Sequence, residues 1–194
     1  MYVRKKHIEA LADDILRESG IVEPPIPVEA IARQHGLEVR YQPLESNLSG
    51  FLYPFDGHAV IGVNTAHPKV RQRFTIAHEF AHFMLRHDDT LHVDRGFPLN
   101  RGSAHSAPSD PTPEGPGVLR RDELSSQGTD VREREANLLA AELLMPRQML
   151  SEDWRRMGTV DITDEEAIMG LARRYSVSTQ ALVLRLSNLG LFEQ

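Results

Sequence analysis

The chain has 194 residues, of which 40% are hydrophobic, and its formal net charge is −6 at pH 7. This length suits one core-forming domain with at most a small appendage, and the acidic balance argues against a broad basic surface for binding phosphate backbones. Because the chain has no cysteine, disulfides and thiolate metal sites are excluded, and any zinc must be held by histidine and carboxylate.

The N-terminal segment carries several charged residues and lacks a long apolar core, so it does not resemble a signal peptide. No apolar run approaches the roughly 20 residues needed to cross a bilayer. We therefore expect a soluble, cytoplasmic protein that does not contact a membrane.

Hydrophobic periodicity and turn residues predict the elements of the first half of the chain. In chain order these are a helix over residues 4–19, a short helix that follows Pro27 and ends at Gly36, a strand over 37–41, a β-hairpin formed by 49–53 and 59–63, and a longer helix over 68–86. Mixed helices and short strands of this kind indicate an α+β fold.

Residues 88–130 are rich in proline and lack periodicity, which predicts a long surface loop. Within it, residues 98–118 should be weakly ordered, because five prolines and few apolar side chains cannot offset the entropy of ordering. A helix is predicted to resume over 130–145 and to end at Pro146, followed by a short segment over 148–157.

The C-terminal region predicts two further helices. Thr163 and Glu166 have the spacing of a capping box before the first, and Ser178 can cap the second. We therefore predict a domain over residues 1–158, which includes the loop, followed by a helical hairpin over 159–194 that resembles a helix-turn-helix.

A longer helix carries the pattern HExxH, in which His78 and His82 are four residues apart. A helix places both imidazoles on one face, where they can bind a single Zn²⁺. Glu79 can then accept a proton from a zinc-bound water as a general base. The alternative is a chance match on an exposed helix. The small and apolar residues on the histidine face favour a metal site at the edge of a core-facing stripe: Phe74, Ala77, Ala81 and Leu85.

A catalytic zinc usually has three protein ligands and one open position, so a third ligand is needed. Glu133 is the first choice, and Asn137 lies one helical turn later, where it can orient a ligand imidazole. These two residues share a stripe with Ala140 and Leu144 that can pack against the HExxH helix. Glu135 points elsewhere and is the second choice, since a solvated helix start suits it better.

These motifs resemble those of the ImmA/IrrE-type metallopeptidases. The strongest matches are residues 71–79 and 133–146, and weaker matches precede them in the family's order at 25–32, 48–52 and 61–64. Together they cover most of residues 8–146, so the combination is far more specific than HExxH alone.

The resemblance implies a compact zincin-like domain with a small mixed or antiparallel sheet, in which His78, His82 and Glu133 bind Zn²⁺ and Glu79 is the catalytic base. It also implies an endopeptidase whose substrate is a helix-turn-helix (XRE-like) repressor, and whose action switches on stress, mobile-element or toxin–antitoxin genes. The proline-rich insert near residues 100–118 departs from the shortest family pattern.

Two other classes of function stay open on the sequence alone. A zinc-binding adaptor that sequesters a repressor without cutting it would carry the same residues. A DNA-binding regulator is indicated by residues 172–182, with Val177 in a turn before Ser178. We favour a plain helical hairpin and expect no direct nucleic-acid binding, because the acidic residues over 161–166 would repel phosphates.

Substrate binding is predicted less sharply than metal binding. The strand over 59–63 could present a free edge on which an extended substrate segment pairs through backbone hydrogen bonds. Tyr53, Tyr175 and His87 are candidates for a second donor to the oxyanion that forms during hydrolysis.

Overall fold

The computed structural model describes residues 3–55, 58–86, 92–94, 131–158 and 164–191. Within these ranges the chain forms, in order, α1 (Lys5–Glu18), α2 (Val28–Gln34), β1 (Leu37–Gln42), β2 (Gly50–Phe55), β3 (His58–Asn64), α3 (Lys69–Leu85), β4 (His92–Asp94), α4 (Val131–Leu144), α5 (Arg147–Arg156), α6 (Glu165–Tyr175) and α7 (Thr179–Asn188). The α+β class predicted from the sequence, with a small mixed sheet and a helical C-terminal region, is confirmed.

The four strands form one mixed sheet in the order β1-β3-β2-β4. β2 and β3 pair antiparallel as the predicted hairpin, with Leu52 opposite Ile61. β1 pairs parallel to β3, with Val39 opposite the same Ile61. Since β3 is hydrogen-bonded on both sides, the free edge predicted over residues 59–63 is wrong. The sequence showed the hairpin, but the parallel partner lies about 20 residues earlier and leaves no local signal.

The helix α3 lies at the centre of the domain and packs against α2, α4 and the strands β2 and β3. Every residue from Thr75 to His82 is buried, so this stretch is covered on all sides rather than along one stripe. Gly50 allows β2 to approach α3 closely, because a Cβ atom there would lie 2.4 Å from Cγ2 of Thr75. The histidines consequently lie in the interior of the domain. The sequence had predicted them at the edge of a core-facing stripe.

The C-terminal helices join the same hydrophobic core as the rest of the chain. The Ser178 hydroxyl accepts a hydrogen bond from the main-chain N–H of Ala181 at 3.1 Å, so the predicted cap of α7 is confirmed. The cap of α6 is Asp164, which accepts from Ala167 at 3.0 Å, and the predicted position of Thr163 is one residue too early. A domain boundary after residue 158 stays a prediction.

The predicted loop over residues 88–130 is described only in part. Residues 92–94 pair with β2 as the short strand β4, so an uninterrupted loop is wrong there. The weak order predicted for residues 98–118 falls outside the described residues.

Candidate metal centre

The HExxH residues lie in the second half of α3, where the helix brings its two histidines together. Nε2 of His78 and Nε2 of His82 are 3.2 Å apart. Their ring centroids are 4.7 Å apart, with the planes at 73°. Both residues are buried. Two ring nitrogens that face each other at this distance can share a proton or hold a cation between them.

The ring of His78 is fixed by the residue one turn before it. The aromatic ring of Phe74 stacks on this imidazole, with centroids 6.0 Å apart and planes at 25°. The predicted stripe on α3 therefore positions a candidate ligand as well as filling the core. The helix ends just beyond at Arg86, which has the left-handed φ of 53°.

The carboxylate that completes the group comes from α4, which packs against α3. Oε2 of Glu133 lies 3.4 Å from Nε2 of His78, and Oε1 lies 3.5 Å from Nε2 of His82. In the part of the chain that the structure describes, these residues form the one group of histidine and carboxylate donors that converges closely enough to hold a metal ion.

The spacing of the donor atoms can be compared with the spacing of ligands around a tetrahedral zinc ion. Ligands about 2.05 Å from a tetrahedral Zn²⁺ are separated from one another by about 3.3 Å. The two imidazole nitrogens, 3.2 Å apart, are close to that value, and each lies 3.4 or 3.5 Å from one oxygen of the Glu133 carboxylate. Two imidazoles and one carboxylate are also a donor set that zinc accepts, with a further position left for water or substrate.

The structure shows which of the two glutamates considered as the third ligand lies beside the histidines. Glu133 faces the histidines, whereas Glu135 accepts hydrogen bonds from Arg4 on the other side of α4. Glu135 is 3% exposed, so the expectation that it lies at a solvated helix start is wrong. The flanking Arg132 and Arg134 are exposed, as that expectation requires.

Two further residues were predicted to act at this centre. Glu79 follows His78 directly on α3 and is fully buried. Asn137 lies one turn after Glu133 on α4, and its Oδ1 is buried without a hydrogen-bond partner among the described residues. No described imidazole therefore donates to this oxygen, and the role of Asn137 in orienting a ligand stays a prediction.

Three residues were predicted as candidate donors to the oxyanion that forms during hydrolysis, and the structure describes two of them, Tyr175 and Tyr53. Tyr175 is fully buried and its hydroxyl donates to Oδ2 of Asp153 at 2.8 Å, so it serves the packing of α5 against α6. Burial, and then the hydrogen bond to Asp153, raise the pKa of Tyr175. Tyr53 is 44% exposed on β2. His87 lies outside the described residues.

Sequence reasoning missed the contact that holds the start of α4. Arg4 and Glu135 are 131 residues apart, and Arg4 lies outside the motifs identified in the sequence. The sequence offers no signal for this contact, because the pattern around residue 135 predicts a solvated helix start and periodicity does not show which element covers a helix. Among the described residues, no helix is both long enough and apolar enough to span a membrane.

Comparison with known families and proteins gives matches over most of the chain. The family model of the IrrE N-terminal-like domain, a peptidase family, matches residues 32–106 and 112–187. The radiation response metalloprotease IrrE of Deinococcus radiodurans is 29% identical over 152 residues, which make up 78% of this chain and 37% of that relative.

A solved structure, that of a Mycobacterium tuberculosis transcriptional regulator, superposes with a TM-score of 0.56 at 18% sequence identity. The superposition covers 96% of this chain and 47% of that one. At this identity the similarity shows the fold alone. The chain spans less than half the length of either protein.

Proposed function

We propose a function from one premise, which is that the chain belongs to the IrrE N-terminal-like domain family of metallopeptidases. The family predicted from the sequence is thereby confirmed, and it implies a metal ion. On this premise the chain is a zinc-dependent endopeptidase, with His78, His82 and Glu133 as the zinc ligands.

One observation carries this proposal. A carboxylate from α4 meets two imidazoles from α3 at donor separations of 3.2 to 3.5 Å, inside a buried part of the domain. Burying these groups next to each other is costly unless a cation or a shared proton compensates them. A zinc ion fits the donor types and their spacing, and the histidines belong to a pattern that many zinc hydrolases use.

The chemistry divides between the ion and the protein. When bound, zinc would polarise the scissile carbonyl and lower the pKa of a coordinated water to about 7. Glu79 would accept the proton of the attacking water and pass it to the leaving amine. Its burial supports this role, because a medium of low dielectric strengthens the interaction of the base with developing charge.

The proposed substrate is a helix-turn-helix repressor, as the family resemblance implies. The curated relative is named as a radiation response metalloprotease, which supports a role in a stress response. Because this chain covers 37% of that relative, the substrate and the regulated genes are proposals of their own.

The non-cleaving adaptor remains the second candidate function, since it would use the same metal centre. DNA binding is less well supported. In a helix-turn-helix, α7 would be the recognition helix, yet the one basic residue within Thr179–Asn188 is Arg185. That residue is 4% exposed and pairs with Glu142. A recognition helix without an available cation is poorly suited to phosphates and base edges.

Metal analysis of the purified chain tests the centre. We expect about one zinc ion per chain, removable by a chelator. His78→Ala and His82→Ala should each abolish stoichiometric binding, whereas His7→Ala, on the exposed side of α1, should not. Undiminished zinc in both ligand variants would eliminate this site.

A further inference from the structure

A cluster of three hydrogen bonds joins the start of α1 to the start of α4. Nε of Arg4 donates to Oε1 of Glu135 at 3.0 Å, and Nη2 donates to Oε2 at 2.7 Å. The main-chain N–H of Arg4 also donates to Oε1, at 2.9 Å. A bidentate pair of this kind fixes direction as well as distance. The Glu135 side chain is 4% exposed, so its carboxylate is shielded from solvent.

Glu135 lies two residues after Glu133 and on the opposite side of α4. Successive residues of a helix turn by about 100°, so these two carboxylates diverge by about 200°. α4 accordingly packs between two helices, with the Glu133 side against α3 and the Glu135 side against α1. Any rotation of α4 about its axis would displace both carboxylates together.

Both glutamates lie near the N-terminal end of α4, which begins at Val131. The first N–H groups of a helix have no partners within the helix, so its first turn is held largely by tertiary contacts. Arg4 supplies such a contact from a helix that is itself anchored. α1 buries the apolar side chains of Ile8, Ala12, Ile15 and Leu16 in the core.

We propose that the Arg4–Glu135 pair is a positioning device for Glu133, which sets this carboxylate between the two histidines before a metal ion arrives. The inference rests on the proposed metal centre. A site that is already ordered loses less entropy when it binds, so the pair raises the affinity for the metal. In this proposal Arg4 and Glu135 are not ligands themselves and act on Glu133 through α4.

The test is the dissociation constant for Zn²⁺, measured on the full chain by competition with a chromogenic chelator. Circular dichroism first establishes a temperature at which each variant is folded. Arg4→Met keeps the length of the side chain and removes its donors. We expect it to raise the dissociation constant by about 10–100-fold, as removal of a group supporting a metal ligand does. Arg4→Lys, which restores the charge but not the fork, should recover part of that loss.

Arg40→Met is the matched control. Arg40 makes a bidentate pair with Glu38 at 2.8 Å for both contacts, but this pair is exposed on β1. Its loss should leave the dissociation constant equal to that of the wild type. A merely structural role for Arg4 would give another pattern, in which Arg4→Met melts at a lower temperature without metal but binds zinc as the wild type does. That pattern would overturn the proposal.

The remaining outcomes are also decisive. If Arg4→Met does not fold, Glu135→Gln carries the test, because the amide keeps the shape and loses the charge. If that variant is also unfolded, the pair is required for the fold itself and the proposal fails. If His78→Ala loses zinc while Arg4→Met binds it normally, the metal centre stands and the proposed positioning role of Arg4 is wrong. If His78→Ala binds zinc like the wild type, the metal centre is wrong and the inference falls with it.

Discussion

The guanidinium of Arg185 and the carboxylate of Glu142 form an ion pair that is almost completely buried, with side-chain exposures of 4% and 5%. Nε of Arg185 also donates to the main-chain oxygen of Met145 at 3.2 Å. The pair joins α7 to α4, the helix that carries Glu133. The C-terminal hairpin is thereby tied to the candidate metal centre through a shared helix.

Removing one partner of this pair should destabilise the fold severely. Arg185→Met leaves the Glu142 carboxylate buried without its cation, which should lower the free energy of unfolding by about 3–5 kcal/mol. Combining it with Glu142→Leu should recover much of that loss, since packed apolar groups can replace a buried ion pair. Chemical denaturation followed by circular dichroism measures both values.

The control for this prediction is an exposed pair. Arg17→Met removes the partner of Asp14, and the two side chains are 73% and 52% exposed. This change should alter the free energy of unfolding by less than about 1 kcal/mol. A double variant at Arg185 and Glu142 that is no more stable than the single one would contradict the interpretation.

The carboxylate of Asp153 should make stability depend on pH. It accepts hydrogen bonds at 2.8 Å from both Arg174 and Tyr175. Burial acts to raise the pKa of Asp153, but these hydrogen bonds and the positive charge of Arg174 outweigh it, so the pKa is lowered on balance. A lowered pKa stabilises the fold above the unfolded value of about 4, and this contribution is lost as the pH falls through the folded value.

We therefore expect Asp153→Asn to cost about 1–3 kcal/mol at pH 7, the range for a weakened buried hydrogen-bonded group. The difference from the wild type should begin to shrink below about pH 4, where the unfolded chain takes up a proton, and should be lost as the pH falls through the lowered folded pKa of Asp153. Urea denaturation at several pH values checks this. A difference that stays constant down to acid pH would show that Asp153 acts through its shape and not through its charge.

The two glutamates at the start of α4 should differ strongly in metal binding. Glu133→Gln replaces a carboxylate beside the histidines and should remove most of the zinc affinity. Glu135→Gln perturbs only the support of α4 and should have a clearly smaller effect. Competition with a chelator ranks the two variants, and Arg134→Gln, at an exposed position between them, is the control. The reverse ranking would identify Glu135 as the ligand.

The sequence predicted those features that depend on neighbours along the chain. The HExxH helix was expected over residues 68–86 and is observed as Lys69–Leu85. The four-residue spacing of His78 and His82 determines which face they share, so their approach could be predicted without knowledge of the fold. The stripe that begins at Glu133 likewise indicated the side of α4 that meets α3.

Features that depend on distant parts of the chain could not be predicted. The parallel pairing of β1 with β3, which overturned the predicted free edge, joins two strands that have β2 between them in the chain. The contact of Arg4 with Glu135 spans 131 residues. Periodicity shows which side of a helix is buried but not which element covers it. For that reason Glu135 was assigned to solvent, although it is buried against α1.

The central claim is that Glu79 acts as the base of a zinc peptidase, and one comparison tests it most directly. Wild-type and Glu79→Gln protein, loaded with equal zinc, are each incubated with a helix-turn-helix repressor encoded beside the gene, and cleavage is followed by mass spectrometry. The amide keeps the shape of Glu79 but cannot accept the proton, so cleavage should be slower by about 10²–10⁴-fold while the repressor still binds. Equal cleavage by both proteins would contradict the role of Glu79. Binding without cleavage by either, with equal relief of repression, would identify a sequestering adaptor instead of an enzyme.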